Sequence, residues 1–100
     1  MLDGYLLNLR TFREVSDDKA HAFKPLEEAA EVYAAWQDCD CMRYSPIMTA
    51  RRECRQSLID ECMDTVQAIA NLLAAVGATQ GEVDAAIRRM DERNCEGGRL

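Results

Sequence analysis

The chain has few of the residues that break helices or tie a fold together. Two prolines and five glycines in 100 residues argue against disorder and against a turn-rich β architecture. The single histidine, His21, excludes a di-iron carboxylate bundle built on Glu28 or Glu61, because that chemistry draws Glu-x-x-His from two helices. No C-x-x-C pair occurs among Cys39, Cys41, Cys54, Cys62 and Cys95, which removes the usual zinc spacings. No apolar run is long enough to span a bilayer. Residues 1–9 lack a basic start and carry Asp3 within their apolar stretch, so no secretory leader is expected.

What is present points to helices and to a thin core. Hydrophobic residues make up 48% of the chain, yet only six are aromatic and many are alanine. A single domain of this size buries roughly 60–70% of the surface its unfolded chain exposes, so a second copy is an expected way to complete the core. The formal net charge of −6 repels nucleic-acid phosphates and argues against nucleic acid as a partner. Cys54 and Cys62, if on one helix, stand about 12 Å apart, beyond the roughly 7 Å limit for a disulfide. Free thiols in a reducing cytoplasm are expected.

Periodicity divides the chain into an all-α antiparallel bundle of four to five helices within one domain, residues 1–100. Leu6, Leu9 and Phe12 have helical spacing, predicting a first helix over residues 5–15 that Ser16-Asp17-Asp18 ends. Lys24-Pro25 opens a second, with Pro25 in the first helical position and Glu27 and Glu28 in the first turn, running to about residue 40. Ser45-Pro46 repeats that start signal. Residues 47–76 then read as one long helix that bends or splits near Thr49, with Gly77 as its stop. Thr79 and Glu82 form a capping box for a last helix over residues 80–94, and Gly97-Gly98 ends the order.

Two acidic pairs stand out: Glu28 with Glu31, and Glu61 with Asp64. On a helix, residues three apart share a face at about 5–6 Å. Two such helices packed antiparallel bring four carboxylates to one point, which is repulsive without a cation. Oxygen donors without His or Cys suit a hard ion, Mg²⁺ or Mn²⁺, and Glu27 beside them could orient or deprotonate a water. The bland alternative is a set of solvated surface acids, common on exposed helices. Leu58, Cys62, Val66, Ile69, Leu72, Leu73 and Val76 form one broad apolar stripe, with Glu61, Asp64, Ala68, Asn71 and Ala75 beside it. In the earlier helix Leu26, Ala29, Ala30, Tyr33 and Trp36 form the apolar side.

The pattern Glu27-Glu28-Ala29-Ala30-Glu31, followed one helix later by Glu61-Cys62-Met63-Asp64, resembles the MazG-like all-α nucleoside triphosphate pyrophosphohydrolases. That superfamily includes phosphoribosyl-ATP pyrophosphohydrolase and the all-α dUTPases. The resemblance covers roughly residues 24–98 and extends to Asn71 and to Arg93-Asn94 with Gly97-Gly98 beyond. It implies that Glu28, Glu31, Glu61 and Asp64 bind Mg²⁺ and that Glu27 assists the metal or the water. It implies Asn94, with Arg89 or Arg93, as contacts for the phosphates or base. The implied reaction is hydrolysis of the α–β phosphoanhydride of a nucleoside triphosphate, giving monophosphate and pyrophosphate, in nucleotide-pool cleansing or phage-related metabolism. The implied assembly is a homodimer or homotetramer whose helices enclose the nucleotide. Phosphoribosyl-ATP hydrolysis would use the same acids. A non-catalytic helical interaction or nucleotide-binding module is the reading from another class. Against the family pattern, the segment between the motifs is long and cysteine-rich, and only Lys19 and Lys24 supply lysine.

Other residues carry two readings each. Trp36 stacks on a nucleobase or packs at an interface. Asn71 contacts substrate or makes a buried helix-to-helix hydrogen bond. His21 reads as an exposed loop residue, and Cys62 as packing. Arg43, Arg51, Arg52 and Arg55 are either a solvated helix face balanced by Glu53 and Glu61, or a triphosphate clamp reaching across a dimer.

Overall fold

The computed structural model describes residues 4–100. Asp3, on which the leader reading of residues 1–9 turns, lies outside them. The described residues form three helices and no strand: α1 (Lys19–Cys41), α2 (Met48–Ala75) and α3 (Gln80–Glu96). None of these helices is long and apolar enough to cross a membrane. The fold is therefore all-α, with three helices where the periodicity predicts four or five.

Most of the difference lies before α1. Residues 5–15 form no helix and bend at Arg13 and Glu14, and they run along α2. Their backbone is held by two α2 side chains: Gln67 Nε2 donates to the Arg10 carbonyl at 2.7 Å, and the Phe12 N–H donates to Asn71 Oδ1 at 3.0 Å. Leu7, Leu9 and Thr11 face a groove against α2 and α3, while Leu6 is fully exposed. The Gln67 and Asn71 side chains bond one carbonyl and one N–H of this segment, groups a short helix would otherwise pair within itself.

The first helix also starts earlier than Pro25. Asp18 is its N-cap, accepting the His21 N–H at 2.9 Å, and that bond holds the Asp18 carboxyl below its usual range. His21 thus sits in the first turn of α1 rather than in a loop. Pro25 lies inside the helix, where its ring removes one backbone donor. At the next connection Ser45 is not the N-cap: its Oγ accepts the Ile47 N–H at 3.2 Å ahead of the helix. Ile47 is the N-cap without a side-chain cap bond, and α2 begins two residues after Pro46. α2 is continuous, with no split at Thr49, and spans about 42 Å.

Two helix ends follow their sequence signals closely. Gly77 has φ 76°, and the Ala78 and Gly77 N–H groups reach back to Leu73 and Ala74 carbonyls, closing a Schellman turn. Thr79 and Glu82 exchange side-chain to backbone hydrogen bonds of 3.1 Å each, the reciprocal capping box. Gly98, also at φ 76°, closes α3 through an Arg99 N–H to Asn94 carbonyl bond of 2.8 Å.

α1 and α2 pack as a hairpin, whereas α3 keeps its Cα atoms more than 8 Å from both and borders α2 across a groove lined by Val66, Ile69, Leu73, Val83 and Ile87. The seam runs through Pro25, Glu28, Val32, Ala35 and Cys39 of α1, all at least half-buried, against Cys54, Leu58, Glu61, Thr65, Ala68 and Leu72 of α2. Ala35 and Ala68 are its most buried apolar residues, and their small side chains let the helices approach. The seam on α1 is therefore offset from the Leu26–Trp36 stripe that hydrophobicity selects. Leu26, Tyr33, Trp36, Ile69, Leu73 and Val76 remain exposed. The chain exposes 8481 Å², against about 5,700 Å² for a compact monomer of 11.3 kDa. Its radius of gyration is 16.6 Å, against about 13 Å for a compact domain of this length.

Candidate metal centre

The offset seam is what assembles the acids. Glu28 and Glu61 occupy contact positions of the hairpin, so helix packing carries both carboxylates inward together. Glu31, one turn after Glu28, joins them: Glu28, Glu31 and Glu61 each offer a carboxylate oxygen within 4.8 Å of the other two. Glu28 is 13% exposed. Glu61 Oε2 is buried with no hydrogen-bond partner, an arrangement that costs free energy unless a donor or cation meets it. The negative charge of Glu28, then a hydrogen bond and charge from Glu61, push the Glu31 carboxyl above its usual range.

The cluster fits a hard divalent cation in donor chemistry, because all the converging atoms are carboxylate oxygens. Asp64 stands outside the tight trio. It lines a cavity of about 140 Å³ with Lys24, Glu28, Gln67 and Asn71, so it borders the centre through Glu28. Three of the four expected metal ligands thus converge, and the fourth faces adjoining space.

Around the trio, Lys24 is the local cation. Its Nζ lies 3.3 Å from Glu28 and 3.4 Å from Glu27, and these bonds, Glu28 first, raise the lysine pKa. Glu27 therefore turns to Lys24 and is not part of the cluster. Asn71, 7% exposed, accepts from the Phe12 N–H and from Gln67 Nε2 through Oδ1. The backbone donor fixes the amide orientation and leaves Nδ2 without a partner among the described residues. Asn71 is thus a tether for the N-terminal segment as well as a wall of the cavity. The bond it makes is helix-to-segment, not helix-to-helix. Gln67, its fellow tether, gave no sequence signal beyond polarity within an apolar helix.

The remaining expected site residues lie elsewhere. Trp36 is 45% exposed and stacks on Tyr33, with ring centroids 6.3 Å apart and planes 7° from parallel. Arg89, Arg93 and Asn94 are on α3, whose Cα atoms stay more than 8 Å from α1 and α2, and none of them lines the cavity beside Glu28 and Asp64. The five cysteines are free. Burial, then the neighbouring Cys54, raise the Cys39 thiol pKa and keep it neutral. No family model, no curated protein and no solved structure matches the chain.

Proposed function

We propose that the chain is a Mg²⁺-dependent nucleoside triphosphate pyrophosphohydrolase. The observation that carries this reading is the convergence of Glu28, Glu31 and Glu61 from two helices around the unpartnered Glu61 Oε2. Glu28 and Glu61 are drawn out of solvent at the packing seam with the exposed Glu31 beside them, and a cation there would offset the repulsion that raises the Glu31 pKa. The resemblance of the two motifs to the MazG-like enzymes supplies the reaction class.

In this proposal Glu28, Glu31 and Glu61 hold Mg²⁺ or Mn²⁺, with Asp64 completing the set. The ion would neutralise triphosphate charge and acidify water. Glu27 takes the proton of the attacking water, for which its contact with Lys24 must open. The water oxygen bonds to phosphorus, the bridging oxygen of the α–β anhydride leaves, and monophosphate and pyrophosphate result. Asn71 Nδ2 is placed to donate into the cavity beside Glu28.

The assembly belongs to the same proposal. Arg89, Arg93 and Asn94 lie on a helix detached from the trio, so they serve the site only from a second copy of the chain. The surplus exposed area, roughly 2,800 Å², is no less than the share one subunit contributes to an obligate interface, roughly 1,000–2,500 Å². A homodimer, or a homotetramer built from it, covers the exposed Ile69, Leu73 and Ile87 side chains. Free thiols support a reducing, cytoplasmic setting.

The test is to incubate the purified protein with Mg²⁺ and a panel of ribo- and deoxyribonucleoside triphosphates and phosphoribosyl-ATP, assaying pyrophosphate and orthophosphate separately. Stoichiometric pyrophosphate from a triphosphate is the expected result. Orthophosphate alone, or no turnover with any divalent ion, would sink the enzyme reading, and turnover confined to phosphoribosyl-ATP would reassign the substrate.

A further inference from the structure

The end of the hairpin near the α1–α2 turn carries the opposite charge. Between Asp40 and Asp60 the sequence has four arginines and one acid, Glu53. Three of the arginines, Arg43, Arg51 and Arg55, line a cavity of about 350 Å³ with Trp36, Cys39 and Leu58. No carboxylate lines it. The cavity across the seam, by contrast, is lined by Asp38 and Glu53. Trp36 and Cys39 lie roughly 100° round α1 from the stripe of Glu28, Glu31 and Asp38 at 100° per residue, and none of Glu28, Glu31 and Glu61 lines the cationic cavity, so it is separate from the carboxylate cluster.

Its charges are not spent within the chain. Arg43 pairs with Asp40 at 3.0 Å, but Arg51 and Arg55 make no ion pair or hydrogen bond through their side chains among the described residues. They stand four apart on one helix face, where like charges oppose each other unless an anion sits between them. Guanidinium groups hold phosphate oxygens in a two-pronged fork. Trp36, its plane set by the stack on Tyr33, offers an aromatic surface on the same wall, and an indole accepts a planar ring by stacking. The neighbouring Cys39 thiol stays neutral and adds no competing anion.

We propose that this cavity is a second binding site, one that takes a small phosphorylated compound carrying a planar ring, such as a nucleoside monophosphate. Arg51 and Arg55, joined by Arg43, hold the phosphate, and Trp36 receives the ring. A long polyanion is disfavoured because the chain as a whole carries −6, whereas a small anion feels chiefly the local arginines within a Debye length of about 8–10 Å. The site does not depend on the proposed hydrolase activity.

Trp36 is the only tryptophan, so its fluorescence reports on the cavity directly. The experiment titrates the full chain with adenosine monophosphate in EDTA at low salt, which removes any metal-dependent binding at the carboxylates. Saturable quenching is expected, with adenosine and ribose 5-phosphate each binding at least about tenfold more weakly. The double variant Arg51→Gln/Arg55→Gln changes only exposed side chains and should keep its helical circular dichroism while losing at least about tenfold in affinity. Glu31→Gln/Glu61→Gln should bind the monophosphate within about twofold of wild type. The proposal is overturned by absence of saturation up to about 10 mM, by unchanged affinity in the arginine variant, or by loss of binding in the carboxylate variant. Tight binding of a single-stranded oligonucleotide without binding of the monophosphate would overturn it too.

Discussion

The α1–α2 hairpin and α3 are held by different means. The hairpin depends on tertiary packing along a seam whose middle contains carboxylates. α3 depends mainly on local chemistry, the capping box at Thr79 and Glu82 and the Schellman turn at Gly98, and it meets α2 only across an open groove, with its Cα atoms more than 8 Å away. Where packing dictates position, Glu28 and Glu61 are brought together with Glu31 beside them. Where only local bonds dictate position, the apolar side chains Ile87 and Met90 stay exposed and wait for a surface. The proposed active site draws on both regions, so the difference between them is the strongest handle on the proposal.

The largest effect is expected from separating the two contributions. Glu61→Gln in the hairpin and Arg93→Gln in α3 should each lower pyrophosphate release at least 100-fold. If α3 serves the carboxylates of a second copy, mixing and reassembling the two inactive proteins restores intact sites, about a quarter of the total for random pairing of dimers. No recovery on mixing would break the link between the regions. Next in size is the assembly itself. Ile87→Asp places a charge on the exposed apolar side of α3 and should weaken self-association at least tenfold by light scattering, with helix content retained. Unchanged mass at every concentration would mean that the groove beside Leu7, Leu9 and Leu73 is not the contact between copies.

The sequence was legible wherever a residue acts through its own neighbours. Thr79 and Glu82 place the α3 start to the residue and Gly77 places the α2 end to within one, because caps and left-handed stops are decided within a few positions. The acid spacing likewise locates Glu28, Glu31 and Glu61 on facing turns. Illegible parts depend on partners distant in sequence. Leu6, Leu9 and Phe12 carry helical spacing, but Gln67 and Asn71, more than fifty residues away, bond the Arg10 and Phe12 backbone and hold that segment against α2 without a helix. Hydrophobicity likewise selects the Leu26–Trp36 face of α1, yet the hairpin closes over Ala35 and Ala68, where small side chains allow close approach. Apolar patterning thus marks a face that the single chain leaves exposed and misses the small residues that form its seam.

The middle effects test that division. Asn71→Ala removes the acceptor of the Phe12 N–H and should cost about 1–3 kcal/mol of stability, with hydrogen exchange at Phe12 rising most. Uniform acceleration across α3 instead would show that the third helix is coupled to the tether. Thr79→Ala, which removes one half of the capping box, should cost about 1 kcal/mol and be felt in α3 rather than in the hairpin. A loss of Mg²⁺ binding in that variant would contradict the independence of the two regions.

The smallest expected effect is a pH dependence confined to the hairpin. The charge of Glu28, and after it Glu61, raises the Glu31 carboxyl above its ordinary 4.5, so between 4.5 and the raised value the folded chain binds this proton more tightly than the unfolded chain does. Stability from this group is therefore fully present below the unfolded pKa and lost as pH rises through the folded one. Without divalent metal, wild type should become less stable across that window, while Glu31→Gln, which has no proton to lose, should show a flatter profile. Added Mg²⁺ should reverse the wild-type loss, because a cation binds the ionised carboxylates and competes with the proton at the same oxygens. Metal affinity should accordingly climb with pH over the same range in wild type but much less in the variant. Parallel stability profiles for the two proteins, with and without Mg²⁺, would leave the three carboxylates as neighbours with no shared ion.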